Sequence, residues 1–212
     1  MAVSDIMLAA KLNDQAELFK EKGRYTEAEP LYQQALAIVE KARGPHHPSV
    51  ALALTDLAEL YSAQARYADA EPLYKRSLAT WKRALGLDHP EVVQTLNGLA
   101  SLYRTQGRYA DAEPLYKRAH AIFHKVLGPD HPSVASALSN LASVYKEEAR
   151  YADAEPLYER ALTIREKSLG PDHPDVASAL NNLADLYSAQ GRHADAEPLY
   201  KRALAKGGTR SS

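Results

Sequence analysis

Histidine, carboxylate and amide side chains recur in this chain at fixed spacings, and each pattern can be weighed for the chemistry it could support. His120 and His124 stand at i, i+4. A helix would present both rings on one face, a spacing able to hold a divalent metal. His120, however, takes a place filled by Leu36, Leu78, Leu162 and Leu204 elsewhere, and no third ligand is evident nearby. A tolerated, half-buried imidazole accounts for it, and no metal is expected. His47, His89, His131 and His173 each precede a proline at a constant step of 42 residues. They sit on separate repeats and cannot converge on one ion, so their expected task is to hold a loop. Asp111 and Glu113 form a carboxylate pair of the kind used in acid–base catalysis. Such pairs recur in every repeat, which fits the start of a helix, where the dipole favours anions. With 0 cysteines, no phosphate loop and no nucleophile motif, the chain is expected to be neither an enzyme nor a cofactor binder.

The elements that position these groups follow from the same period. Tyr25, Tyr67, Tyr109 and Tyr151 stand 42 apart, and Pro30, Pro72, Pro114, Pro156 and Pro198 keep that step. So do Arg24, Arg66, Arg108, Arg150 and Arg192. A period between 20 and 50 residues marks stacked units that bury a core only against their neighbours. Within one repeat, Val92, Leu96, Leu99, Ala100, Leu102 and Tyr103 recur at spacings of three and four, giving one apolar helical face. Gln106-Gly107-Arg108 breaks that helix, glycine permitting the left-handed turn. A second helix starts near Tyr109 or Ala110, with Pro114 about one turn in, where a missing N–H costs one bond at most. Gly128-Pro129 stops it, and Pro48, Pro90, Pro132 and Pro174 open the first helices.

Composition narrows the class further. The net charge of -1 gives no basic excess for nucleic acid. Hydrophobic residues make up 45%, enough for a real core, and no run approaches a membrane span. The start, Met1-Ala2-Val3-Ser4-Asp5, lacks the features of a secretory signal, so a cytoplasmic protein is the simplest reading.

Leu99, Ala100, Tyr103, Gly107, Tyr109, Ala112, Tyr116 and Ala119 follow a pattern that resembles the tetratricopeptide repeat. The usual unit has about 34 residues; the longer form here carries Asn181 to Ala184 and Leu169 to Pro174, as in the repeats of kinesin light chains and their bacterial relatives. The resemblance implies an all-α, right-handed α-solenoid of five helix pairs. The array spans residues 8–206, in repeats of about 8–48, 49–90, 91–132, 133–174 and 175–206, with a lead-in at 1–7 and a flexible tail at 207–212.

The resemblance also implies that first helices line a concave groove for an extended peptide or partner segment. The outward positions are Asn97 and Arg104, then Asn140, Ser143 and Lys146, then Asn181 and Asn182. Asparagine donates and accepts, so a ladder of them can grip a peptide backbone whatever its sequence. Arg104 and Lys146 favour an acidic partner, whereas the first two repeats are acidic along this strip. Family members that bind chaperones clamp a terminal carboxylate with Lys and Arg; Asn13, Thr55 and Asp56 stand here instead, and that clamp is not supported.

Gly98, where the other repeats carry Asp14, Asp56, Asn140 and Asn182, either opens a pocket for a partner side chain or reflects drift, the preferred reading. Trp81, where others have Val39, Phe123 and Arg165, is expected to pack between second helices. The alternative function is structural. Tyr200, Ala203 and Leu204 on the last helix form an apolar face that could join a second copy as a homo-oligomer.

Overall fold

The computed structural model describes residues 2–207, and among them it contains ten α-helices and no strand. They are α1 (Ala2–Glu21), α2 (Tyr25–Arg43), α3 (Pro48–Ala63), α4 (Tyr67–Ala84) and α5 (Val92–Thr105), then α6 (Tyr109–Leu127), α7 (Pro132–Glu147), α8 (Tyr151–Leu169), α9 (Pro174–Ala189) and α10 (His193–Gly207). Odd-numbered helices are the first of each pair and even-numbered ones the second. Residues 2–7, set apart as a lead-in by the sequence, are continuous with α1, and Gly207 ends α10. Residues 208–212 of the expected tail lie outside the described residues. No described helix is long and apolar enough to cross a membrane.

The chain forms two compact bodies, Met1–Gly107 and Arg108–Ser212, divided inside the third repeat between its two helices. In the first body, α1 packs on α2 and α3 on α4, while α2 meets α3, α4 meets α5 and α3 touches α5. The second body repeats the scheme: α7 packs on α8 and α9 on α10, with α6 on α7, α8 on α9 and α7 touching α9. Small residues allow the helices to approach. Ala28, Ala58, Ala70, Ala112, Ala142, Ala154 and Ala184 are fully buried, and Leu54, Leu96 and Leu180 are buried with them. In the second body, Val134, Leu138, Ala161 and Ile164 form one cluster, with Phe123 and Leu157 packed against it.

The loop histidines are helix caps. Nδ1 of His47, His131 and His173 each accepts the backbone N–H two residues on, at 3.1 Å. That satisfies one of the orphan donors of the first turn. Pro48, Pro132 and Pro174 then open their helices, but Pro90 does not: α5 begins two residues later, at Val92. There the cap bond, from Glu91 N–H to His89, lengthens to 3.3 Å. The backbone turns through i+3 bonds from Val92 to His89 and from Val93 to Pro90 before settling into the helix.

Within each pair, the reversal after the first helix needs a left-handed residue. Gly107 takes it at φ +70°, but Ala65 and Ala149 hold the same place at φ 56° and 58°.

Candidate functional site

Which side chains face a partner depends on which ones the repeats use among themselves. The arginine after each reversal donates its backbone N–H to a carbonyl five residues back, at 2.8 Å in Arg66, Arg150 and Arg192. This lays the guanidinium over the ring of Tyr61, Tyr145 or Tyr187, 4.0–4.1 Å from its centroid, in a cation–π contact. From there the head pairs with the aspartate three residues on and reaches back to a glutamate of the preceding repeat. Arg150 meets Asp153 and Glu113, both at 2.9 Å, and Tyr145 Oη donates to Glu113 at 3.0 Å. Arg66 meets Glu29 at 2.8 Å, and Arg192 meets Glu155 at 2.9 Å. Lys117, with Arg150 and Tyr145, holds the Glu113 carboxyl down to about 2.

The aspartate of each acid pair stands in the first turn of its helix, as expected, but makes no cap bond, and the pair has a further task. Asp111 pairs with Arg108 at 2.9 Å, and Glu113 ties one repeat to the next. The signal was present in the sequence as a constant offset of 37 residues in Glu29–Arg66, Glu113–Arg150 and Glu155–Arg192.

A second internal set joins the second and third repeats. Thr55 Oγ1 lies 2.7 Å from Thr95 Oγ1 and 2.9 Å from Ser77 Oγ; Ser77 also donates to the Ala51 carbonyl at 2.8 Å. Trp81, 1% exposed, donates its indole N–H to Thr95 at 3.3 Å. Trp81 therefore packs against α5 and completes a closed hydroxyl network.

Gly98 belongs to the same region. A Cβ there would stand 2.6 Å from Tyr74 Cε1 and 2.8 Å from its Cζ and Oη. Neither sequence reading of Gly98 describes this: the missing side chain makes room for the protein's own buried Tyr74.

The predicted peptide-contact residues divide between the two bodies. Asn97 and Arg104 lie on α5 of the first, both half-buried. The Asn97 Oδ1 atom is buried without a partner, so its acceptor is not presented outward. In the second body, Ser143 is engaged internally, donating to the Ser139 carbonyl at 2.9 Å and lying 2.8 Å from Tyr158 Oη. Asn140 and Lys146 on α7 are half-buried, as is Asn182 on α9, and Asn181 is exposed. Among the described residues, the side chains of these four make no hydrogen bond or ion pair with their own chain. The two helices that carry them touch.

On α10, Ala203 is buried and Tyr200 donates to Asp185 at 2.5 Å, whereas Leu204 is 76% exposed. Of the three residues expected to form an apolar face, only Leu204 projects freely. His120 and His124 stand 5.8 Å apart between ring centroids, and burial together with His124 lowers the His120 pKa. Among the described residues, no group of three or more His, Cys, Asp or Glu side chains is placed to hold a metal.

The sequence profile of the tetratricopeptide repeat matches residues 7–83, 63–125, 91–167 and 134–206, together nearly the whole chain. The chain belongs to the tetratricopeptide repeat family. No curated protein matches it. Among solved structures, it resembles one described as a Podosopora anserina kinesin light chain with nearly identical TPR-like repeats. That likeness has 27% identity and a TM-score of 0.84, over 98% of this chain and 99% of that one. It also resembles BtubC (BKLC) from P. vanneervenii, at 26% identity and a TM-score of 0.85, over 99% of this chain and 85% of that one. The tetratricopeptide repeats here are thus of the kinesin-light-chain-like kind, in an all-α solenoid fold. A tetratricopeptide array of this kind is a protein–protein interaction scaffold.

Proposed function

We propose that this scaffold binds an extended, acidic peptide or partner segment on the first-helix faces of α7 and α9. The observation that carries the reading is the set of side chains left over by the internal contacts. Tyrosines late in the first helices, the arginines after the reversals and glutamates of the preceding second helices close on one another, while the side chains of Asn140, Asn181, Asn182 and Lys146 keep their donors and acceptors. Amides grip a backbone irrespective of side-chain sequence, and the Lys146 ammonium adds a preference for carboxylates.

Peptides selected from a random library against the full chain supply the ligand for the test. Replacing Asn140 and Asn182 together with alanine should weaken such a peptide by about 5- to 150-fold, from two lost hydrogen bonds of about 0.5–1.5 kcal/mol each. Lys146→Glu should weaken acidic peptides most, and added salt should weaken the wild type. Unchanged affinity in all three arms would remove this face as the site.

Self-association is the second reading, and the exposure of Leu204 favours it. Its equivalents Leu36 and Leu162 are each only 9% exposed. Sedimentation over a wide concentration range should show association in the wild type that Leu204→Glu abolishes. A wild type that stays monomeric throughout would exclude it.

A further inference from the structure

The first body carries a cavity of about 300 Å³ walled by Ile6, Ala9 and Asn13 of α1, Val39 of α2, and Leu52 and Asp56 of α3. At this position of the repeat the chain carries Val39, Trp81, Phe123 and Arg165, and Val39 is the smallest. Val39 stands 42 residues before Trp81, whose indole is fully buried against α5 in the next repeat. An isopropyl group in place of an indole leaves that volume unfilled, and the neighbouring Ala35 and Ala53 are too small to close it.

The wall is not purely apolar. Asp56 is half-buried in it, and the Asn13 side chain hydrogen-bonds to its carboxylate. The charged and titratable groups around Asp56 are Glu17 and Lys20 of α1, Tyr32 of α2, Glu59 of α3 and Tyr74 of α4. Lys20 lies between Glu17 at 2.7 Å and Glu59 at 3.4 Å, and the two tyrosines are neutral. Three carboxylates therefore share one ammonium. Burial, with Glu59 next in weight, pushes Asp56 up to about 6. Carboxylates thus outnumber ammonium groups beside the cavity.

We infer that this cavity binds an arginine or lysine side chain of a partner segment, the methylene stem against Ile6, Ala9, Val39 and Leu52 and the charged head on Asp56. Long cationic side chains bury their stems while the head seeks a charged or wet partner, which fits apolar walls with one carboxylate. An acidic side chain would meet like charge, and a purely apolar one would leave Asp56 more desolvated than before. The inference rests on the reading that first-helix faces bind a partner, and it gives the first body a pocket whose charge preference is opposite to that of the α7–α9 face in the second.

Amide resonances of the full chain, titrated with single-residue probes, test it. Nα-acetyl-arginine amide and Nα-acetyl-lysine amide should shift Ala9, Asn13 and Asp56 saturably, in the millimolar range usual for one side chain. Nα-acetyl-norleucine amide, which has the stem without the charge, should bind about tenfold more weakly. Asp56→Asn should erase that difference. Val39→Trp, which installs the residue the next repeat carries, should abolish the shifts while its urea midpoint stays at or above the wild type's.

Three outcomes would overturn the inference: equal binding of norleucine amide, tighter binding of Nα-acetyl-tryptophan amide, or no saturable shift up to about 50 mM. A library peptide that still binds Val39→Trp through Asn140 and Asn182 would leave the scaffold reading standing, so the two failures can be told apart.

Discussion

Ala65 and Ala149 occupy the left-handed reversal that Gly23, Gly107 and Gly191 fill in the other repeats, at φ 56° and 58°. A side chain there brings Cβ too close to the following carbonyl, a cost of about 1–2 kcal/mol per residue. Replacing alanine by glycine removes that cost but frees the unfolded chain, which returns about 0.4–1 kcal/mol. Both methyl groups are exposed, so no buried area is lost. The backbone bonds from Arg66 to Tyr61 and from Arg150 to Tyr145 already hold the turn closed at 2.8 Å and need no rearrangement. Ala65→Gly and Ala149→Gly should therefore each stabilise the chain by about 0.5–1 kcal/mol. With a urea slope of about 2–3 kcal/mol/M, each midpoint should rise by about 0.2–0.5 M, and the pair should add. Gly107→Ala and Gly191→Ala should move it down by similar amounts. If either alanine-to-glycine change lowers the midpoint or leaves it in place, the unfolded-state term outweighs the backbone strain and the reasoning fails.

Gly98→Ala should destabilise by about 1 kcal/mol, because overpacking against Tyr74 outweighs the roughly 1 kcal/mol gained in helix propensity. A raised melting temperature would show that Tyr74 yields freely. The Asp56 pKa, about 6, stands above the free-group value of 3.8. The folded chain thus holds a proton that the unfolded chain releases, and this group favours folding as pH falls from about 7 towards 4. The difference in urea midpoint between wild type and Asp56→Asn should change across that window and level off on either side; a flat difference would refute it. His120 carries the opposite sign. Its lowered pKa means that stability falls as pH drops through 6.5, and His120→Leu should remove that loss. Nickel or zinc should leave the melting temperature of the wild type no higher, relative to the metal-free chain, than that of His120→Leu, and a shift confined to the wild type would show that His120 and His124 hold metal after all.

Periodicity made most of the backbone legible. Apolar spacing, glycine stops and early prolines place the helices correctly, because each depends on residues within one turn of one another. Pro90 escaped, since proline alone opens a helix only when the cap before it also forms, and the His89 bond is stretched. The clasps were harder to see because their partners lie 32 to 37 residues apart. The face residues were legible as outward positions but not as available ones. Ser143 and Asn140 look alike in the repeat, and only the placement of Tyr158 Oη separates the bonded hydroxyl from the unbonded amide. Tyr74 and Gly98 are a pair of the same sort: the glycine is odd only until the ring that covers it is located.

The clasp built from Glu113, Tyr145 and Arg150 has a consequence for how such a chain can change length. Its acid comes from one repeat and its ring and guanidinium from the next, at the same register wherever it recurs. A copy of a 42-residue block that carries the tyrosine, the arginine and the glutamate, spliced in at that register, would supply the missing half to both new neighbours. Joints of this kind are interchangeable. The joint closed by Thr55, Ser77, Trp81 and Thr95 is not. Moved beside a repeat carrying Ala53 or Ala137 in place of Thr95, the indole N–H of Trp81 would lose its acceptor. The array is therefore modular at its clasps and keyed at one position. Shuffling of repeats should be tolerated everywhere except across the step from α4 to α5.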